Sequence, residues 1–131
     1  MLRALLLILL AGSLGFAIDL LIGNIGLRVA GVPRGFPPFT LLPVLSGAIG
    51  GPVLATLAYS LIRAVSQRPD RTFLFVAIAA LALSFALPIR LSFTKSKRFA
   101  GVTPAAQMIL VLMHTVVATV SVTTILIGAK P

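Results

Sequence analysis

Long segments without charged side chains constrain this chain more than any other feature. Residues 40–62, 72–89 and 103–129 contain no Asp, Glu, Lys or Arg, and residues 4–27 contain a single acid, Asp19. A helix needs about 20 mostly apolar residues to cross a hydrocarbon core of roughly 30 Å. The sequence therefore predicts an all-α integral membrane bundle of four transmembrane helices, a single domain over residues 1–131 with spans near 4–27, 40–62, 72–89 and 103–128.

Composition leaves little room for anything else. The chain has 131 residues, of which 59% are hydrophobic, so four spans and their connections use nearly all of it. No cysteine is present, which excludes disulfides and thiolate metal sites. The first residues resemble a secretory signal, with Arg3 before a leucine-rich core and small residues near Gly15 and Ala17. Because the apolar run continues past Asp19 to Leu27, we expect this segment to be retained as the first span.

Basic residues give the chain a net charge of +9, and they are concentrated between the spans. They neither line an amphipathic face nor alternate with aromatic residues, so the pattern does not indicate nucleic-acid binding. Lys and Arg in such connections anchor helix ends to lipid headgroups. The predicted interface anchors are Arg28, Arg63, Arg68, Arg71, Arg90, Lys95, Lys97 and Arg98.

Small residues recur at helical spacing in two spans. The second span carries Gly47, Gly51 and Ala55 at intervals of four, a spacing that lets helix backbones approach closely in lipid. This face is expected to make the closest helix contact in the bundle or with a partner, and the neighbouring Pro52 indicates either a hinge or a static bend. The first span carries one stripe composed of Gly12, Gly15, Asp19, Gly23 and Gly26.

Four polar residues are predicted at membrane depth: Asp19, Asn24, Gln107 and His114. Asp19 lies on the glycine stripe, so we expect it to face a protein neighbour rather than lipid. Gln107, His114 and Ser121 are spaced by seven and share a face of the last span. Three roles stay open for His114: a hydrogen bond between helices, proton or ion handling, and ligation of a cofactor. Counted along their helices, Asp19 and His114 lie at similar depths in the membrane. We therefore hypothesise that the two side chains face each other inside the bundle.

Recognisable catalytic motifs are missing from the sequence. It contains no nucleophile and base in a known arrangement, no phosphate-binding loop, no paired carboxylates and no cluster of metal ligands. These observations predict a protein that is not an enzyme and that has no metal site and no cofactor. Two acidic residues are also few for an ion-coupled transporter, although Asp19 alone could serve a proton path.

The order of these elements resembles a known family. A first span interrupted by polar residues precedes a proline-rich entry into a glycine-rich second span; the basic stretch RAVSQRPDRTF follows at 63–73, and LMHTVV lies at 112–117. The whole pattern resembles an uncharacterised family of small bacterial four-span membrane proteins, known by a domain-of-unknown-function label. That resemblance implies a four-helix bundle in the bacterial plasma membrane and assigns no reaction to any residue.

Three functions fit this sequence. The first is a structural or accessory subunit without catalysis, which packs against other transmembrane subunits or a second copy of itself through its glycine faces. The second is a small transporter, channel or proton-conducting element that uses Asp19 and His114. The third is a cofactor-binding subunit of an energy-converting membrane complex, with His114 as the ligand.

Overall fold

The computed structural model describes residues 2–31, 35–94, 97–99 and 102–128. Within these residues five α-helices follow one another: α1 (Leu2–Val29), α2 (Leu41–Val65), α3 (Pro69–Ser84), α4 (Ala86–Arg90) and α5 (Pro104–Gly128). Three short 3-10 turns occupy the connections, at Pro37–Phe39, Leu91–Phe93 and Lys97–Phe99. No strand is present among the described residues.

In the described part of the chain four helical segments are long and apolar enough to cross a membrane, which confirms the predicted all-α, four-span architecture. They are Ala4–Val29, Leu41–Val65, Pro69–Arg90 and Pro104–Gly128. Most differ by two or three residues from the predicted spans, because a helix continues into charged residues whose long side chains reach the membrane surface. Proline starts two of them, at a first-turn position where its missing N–H costs no hydrogen bond.

The helices alternate in direction, so the bundle has two ends. At one end, called the Arg90 end, α1 and α4 finish and α2 and α5 begin; at the other, called the Arg63 end, α2 finishes and α3 begins. Helix α1 packs along both α2 and α5, and α3 also contacts α2 and α5. The pair formed by α2 and α5 therefore lies between α1 on one side and α3 on the other.

The third span is interrupted near its end. Helix α3 stops at Ser84, Phe85 forms a turn, and α4 continues to Arg90. Pro88 explains the break, because proline has no N–H to donate and its ring clashes with the carbonyl four residues earlier. Across this break the side chain of Gln107 on α5 donates a hydrogen bond of 3.1 Å to the carbonyl of Pro88. That bond fixes α4 to α5.

The Arg63 end is held by an aromatic cluster and a side-chain hydrogen bond. Tyr59 on α2 and Phe73 on α3 meet edge to face at 5.1 Å between ring centroids, and Ile125 of α5 completes the cluster. The Tyr59 hydroxyl donates to Asp70 Oδ1 at 2.8 Å. These contacts join α2, α3 and α5 at this end of the bundle.

Candidate intramembrane binding site

The glycine stripe of α1 brings this helix close to its neighbours. A Cβ placed on Gly12 would lie 3.3 Å from the backbone oxygen of Ala48, and one on Gly26 would lie 2.8 Å from the Ile109 side chain. One on Gly15 would touch Val117 at 3.7 Å. Asp19 lies on the same face between these contacts, and it therefore points into the bundle with only 4% of its surface exposed.

Asp19 is the central feature of the site. Its Oδ1 atom is buried and accepts no hydrogen bond from any residue that the structure describes. Burying a carboxyl group without a partner costs free energy, and native proteins generally avoid it. This carboxyl group instead lines a cavity of about 690 Å³ among the helices, which we call the Asp19 cavity.

The walls of the Asp19 cavity come mainly from α2, α3 and α5 and are mostly alanine, valine, leucine and glycine. Three serines also line it, and each donates its hydroxyl proton to a carbonyl of its own helix: Ser46 to Pro43, Ser84 to Leu81 and Ser121 to Val117. These hydroxyls consequently retain only acceptor capacity toward the cavity. Among the described lining residues the titratable ones are Asp19 and His114.

The glycines of α2 contribute to packing at one position and to open space at others. A Cβ on Gly51 would lie 2.7 Å from the side chain of Val117, so this residue approaches α5 closely. A Cβ on Gly47 or Gly50 would meet nothing within 4 Å. These two glycines and Ala55 line the Asp19 cavity. The predicted small-residue face of the second span thus forms a cavity wall as well as a helix contact.

The cavity opens sideways between α2 and α3. Its exposed lining residues lie on these two helices, among them Gly47, Leu54, Val76 and Ala80. The lining residues from α5 are buried or half-buried. In a membrane such an opening faces the lipid, because it lies along the length of two spanning helices.

A second cavity of about 500 Å³ extends to the Arg90 end and is called the Arg90 cavity. Arg90, Thr94 and Phe99 line it near the helix ends. Among the described residues four line both cavities: Pro38, Pro43, Leu110 and His114. His114 is the titratable one among these four, so it borders both cavities.

The hydrogen bond of His114 defines its chemistry. Its Nδ1 lies 2.7 Å from the carbonyl oxygen of Leu110. A carbonyl can only accept, so Nδ1 carries the proton of this bond. In the neutral imidazole Nε2 then carries no proton and is a hydrogen-bond acceptor.

Asp19 and His114 share a cavity but are not bonded to each other in this structure. Among the described residues no hydrogen bond joins them, because the hydrogen bond of His114 stays on its own helix and Oδ1 of Asp19 has no partner. The hypothesis of a facing pair stays a prediction, now with a shared space in which a ligand or water could bridge the two groups.

The other polar residues predicted at membrane depth lie elsewhere. Asn24 is exposed, and its amide donates to the carbonyl of Leu20 at 2.8 Å. Gln107 reaches Pro88, as described above. Gly23, which the sequence placed on the glycine stripe, makes no close contact, because a Cβ placed on it would meet nothing within 4 Å. Asn24, Gln107 and Gly23 are all absent from the lining of the Asp19 cavity.

The predicted anchors lie at the ends of the bundle. Exposed side chains are found at Arg28, Arg63, Arg68, Arg71, Arg90 and Lys97. Lys95 and the side chain of Arg98 lie outside the described residues. Reasoning from the sequence missed both cavities and the contribution of Thr94 and Phe99, since no motif marks residues that meet only through tertiary packing.

The acidic and histidine side chains of the described residues are not clustered. No group of three or more His, Asp or Glu side chains comes together among the described residues.

Residues 2–130 match the model of a protein family described as a Family of unknown function (DUF6069). Comparisons with curated proteins and with solved structures find no match.

Proposed function

Since this chain belongs to DUF6069, a family of unknown function, we propose its role from the site itself: it is a small, non-catalytic membrane transporter that binds an amphiphilic small molecule. The binding site is the Asp19 cavity. The main support is Asp19: this residue lines an apolar cavity, and its Oδ1 is buried without a hydrogen-bond partner among the described residues. A membrane bundle that retains such a group gains most when a ligand completes its hydrogen bonding.

The access routes support a transporter better than a channel. The Asp19 cavity opens to lipid between α2 and α3 and adjoins the Arg90 cavity at His114. At the Arg63 end, the cluster of Tyr59, Phe73 and Ile125 closes the space between the helices. A site that is reachable from one end and closed at the other corresponds to one conformation of a carrier, whereas a channel needs openings at both ends.

A binding experiment with rigid probes tests this function. The probes are 1-adamantanamine, 1-adamantanol and 1-adamantanecarboxylate, which share one apolar cage and differ in the polar group. We expect at least one of them to raise the melting temperature of the purified protein in detergent, since a ligand that binds the folded state stabilises it. The probe that binds is then offered to proteoliposomes to measure uptake.

Gly47→Leu provides the variant for this experiment. The added side chain has open space at its Cβ and projects into the cavity, so it should abolish the probe's effect without disturbing the fold. Ile49→Phe is the matched control, because Ile49 lies on the same helix, is 48% exposed and does not line the cavity. If no probe shifts the melting temperature of the wild type, the proposed function is wrong.

An accessory subunit is the second candidate, and the same lateral opening favours it. In this role a helix of another subunit would pack into the lateral opening between α2 and α3, where Gly47 and Gly50 leave space. Solubilisation from bacterial plasma membranes in mild detergent distinguishes the two roles. Stable co-purification with a larger membrane protein, lost in Gly47→Leu, would support the accessory role and replace the transporter proposal. The plasma membrane location is itself proposed from the resemblance and is checked by fractionation.

A further inference from the structure

The polar groups of the Asp19 cavity share a chemical property: they accept hydrogen bonds and offer few protons. We propose that the ligand is a monovalent organic cation with a compact apolar body, best represented by a protonated amine. This inference rests on the proposed function and names the substrate class of the same site.

The serine and histidine side chains of the Asp19 cavity already use their protons in hydrogen bonds to helix carbonyls. The hydroxyl protons of Ser46, Ser84 and Ser121 are already donated to helix carbonyls. His114 uses its Nδ1 proton in the same way, which leaves Nε2 as an acceptor in the neutral ring. An ionised Asp19 carboxylate accepts only. A ligand that satisfies these groups must bring donors, and an ammonium group brings several.

The charge of the side chains that line the cavity also favours a cation. The described residues that line the Asp19 cavity include one carboxyl group and neither lysine nor arginine. A bound cation can pair with Asp19 and thereby offset the cost of placing either charge in an apolar environment. An anion would meet the carboxylate with no cation to compensate it. The basic groups of the chain lie mainly at the helix ends and in the connections.

The lining of the cavity also favours an organic cation over a divalent metal ion. Calcium takes six to eight oxygen ligands, and magnesium requires a near-octahedral set. The described residues contain no cluster of ligands of this kind, and Asp19 is the one acidic residue among those lining the cavity. The remaining walls are apolar, and the volume of about 690 Å³ falls within the range of sites for drug-sized molecules. An organic cation uses both the carboxylate and the walls.

The lateral opening explains how such a ligand arrives. A lipophilic amine partitions into the bilayer with its apolar part among the acyl chains. From there it can enter between α2 and α3, past Gly47 and Ala80, without crossing the basic ends of the bundle. A proton and the ammonium group compete for the same carboxylate, so binding should weaken as the pH is lowered.

The test uses the full-length chain in nanodiscs of phosphatidylcholine, a zwitterionic lipid without net charge, with empty nanodiscs subtracted. Equilibrium binding of 1-adamantanamine is compared with that of 1-adamantanol and 1-adamantanecarboxylate. We expect the amine to bind about tenfold more tightly than either. Asp19→Asn should remove this preference, since it deletes the charge and keeps the size of the side chain.

Asp70→Asn is the matched control. Asp70 is the other acidic residue of the chain, it is exposed, and asparagine retains a carbonyl acceptor for Tyr59. This variant changes the net charge as Asp19→Asn does and should keep the preference for the amine. If Asp19→Asn fails to fold, the preference of the wild type among the three probes and its pH dependence decide the question.

The outcomes distinguish a failure of the cation assignment from a failure of the proposed function. Equal binding of the alcohol and the amine, blocked by Gly47→Leu, would leave the transporter proposal standing and overturn the assignment to cations. Preference for the amine that persists in Asp19→Asn would also overturn the assignment. Absence of binding by all three probes would remove both proposals together.

Discussion

The glycine faces of α1 and α2 look alike in the sequence but differ in what they contact in the bundle. On α1, Gly12, Gly15 and Gly26 lie against side chains or backbone of α2 and α5. On α2, Gly51 packs against Val117, whereas Gly47 and Gly50 border open space in the Asp19 cavity. A stripe of small residues therefore shows only where a helix backbone lacks side-chain cover. Whether a neighbouring helix fills that position depends on how the helices cross.

The largest effect is expected at Gly12. Replacing Gly12 with Leu puts a side chain against the backbone oxygen of Ala48, and backbone cannot move aside without separating α1 from α2. Overpacking of this kind costs about 1–3 kcal/mol and sometimes more. We expect a clear drop in thermal stability in detergent, or loss of folded protein. Unchanged stability would show that α1 does not depend on close approach at this residue.

Gly51→Leu should destabilise the protein less, because the obstacle is a side chain. A Cβ there would lie 2.7 Å from Val117, and we expect a loss within about 1–3 kcal/mol. Val117→Ala in the same chain should restore part of the stability by making room. A double-mutant cycle measured by thermal unfolding checks the coupling, and strictly additive effects would contradict a direct contact.

Gly47→Leu should change binding far more than stability. Its Cβ meets nothing within 4 Å, and the rest of the side chain occupies part of the cavity. We expect a melting temperature close to that of the wild type and loss of probe binding in nanodiscs. A large loss of stability comparable with that of Gly12→Leu would erase the proposed difference between the two faces.

The smallest effect is expected at Gly23, the member of the α1 stripe that has open space around it. A Cβ there meets nothing within 4 Å. Gly23→Ala reduces the freedom of the unfolded chain and should stabilise the protein by about 0.4–1 kcal/mol or leave it unchanged. Thermal unfolding beside Gly12→Ala gives the matched comparison within one helix. Equal destabilisation by the two alanines would mean that the stripe packs uniformly.

The burial of Asp19 could be predicted from the amino-acid sequence, and the reason is local. Helical spacing places Asp19 on the glycine stripe, and a carboxyl group facing lipid is expensive. Four spans also followed from length and hydropathy alone, because a membrane imposes a fixed thickness on any helix that crosses it. The break at Phe85 was less visible, since prolines such as Pro52 occur within a continuous helix.

The sequence by itself therefore determined the number of spans, the burial of Asp19 and the basic helix ends, since each depends on one helix and its solvent. Tertiary structure alone decided which glycines pack, where the cavities lie and that His114 borders both of them. These features depend on distances between helices that are far apart in the chain. Such distances result from all packing contacts together, and no single helix encodes them.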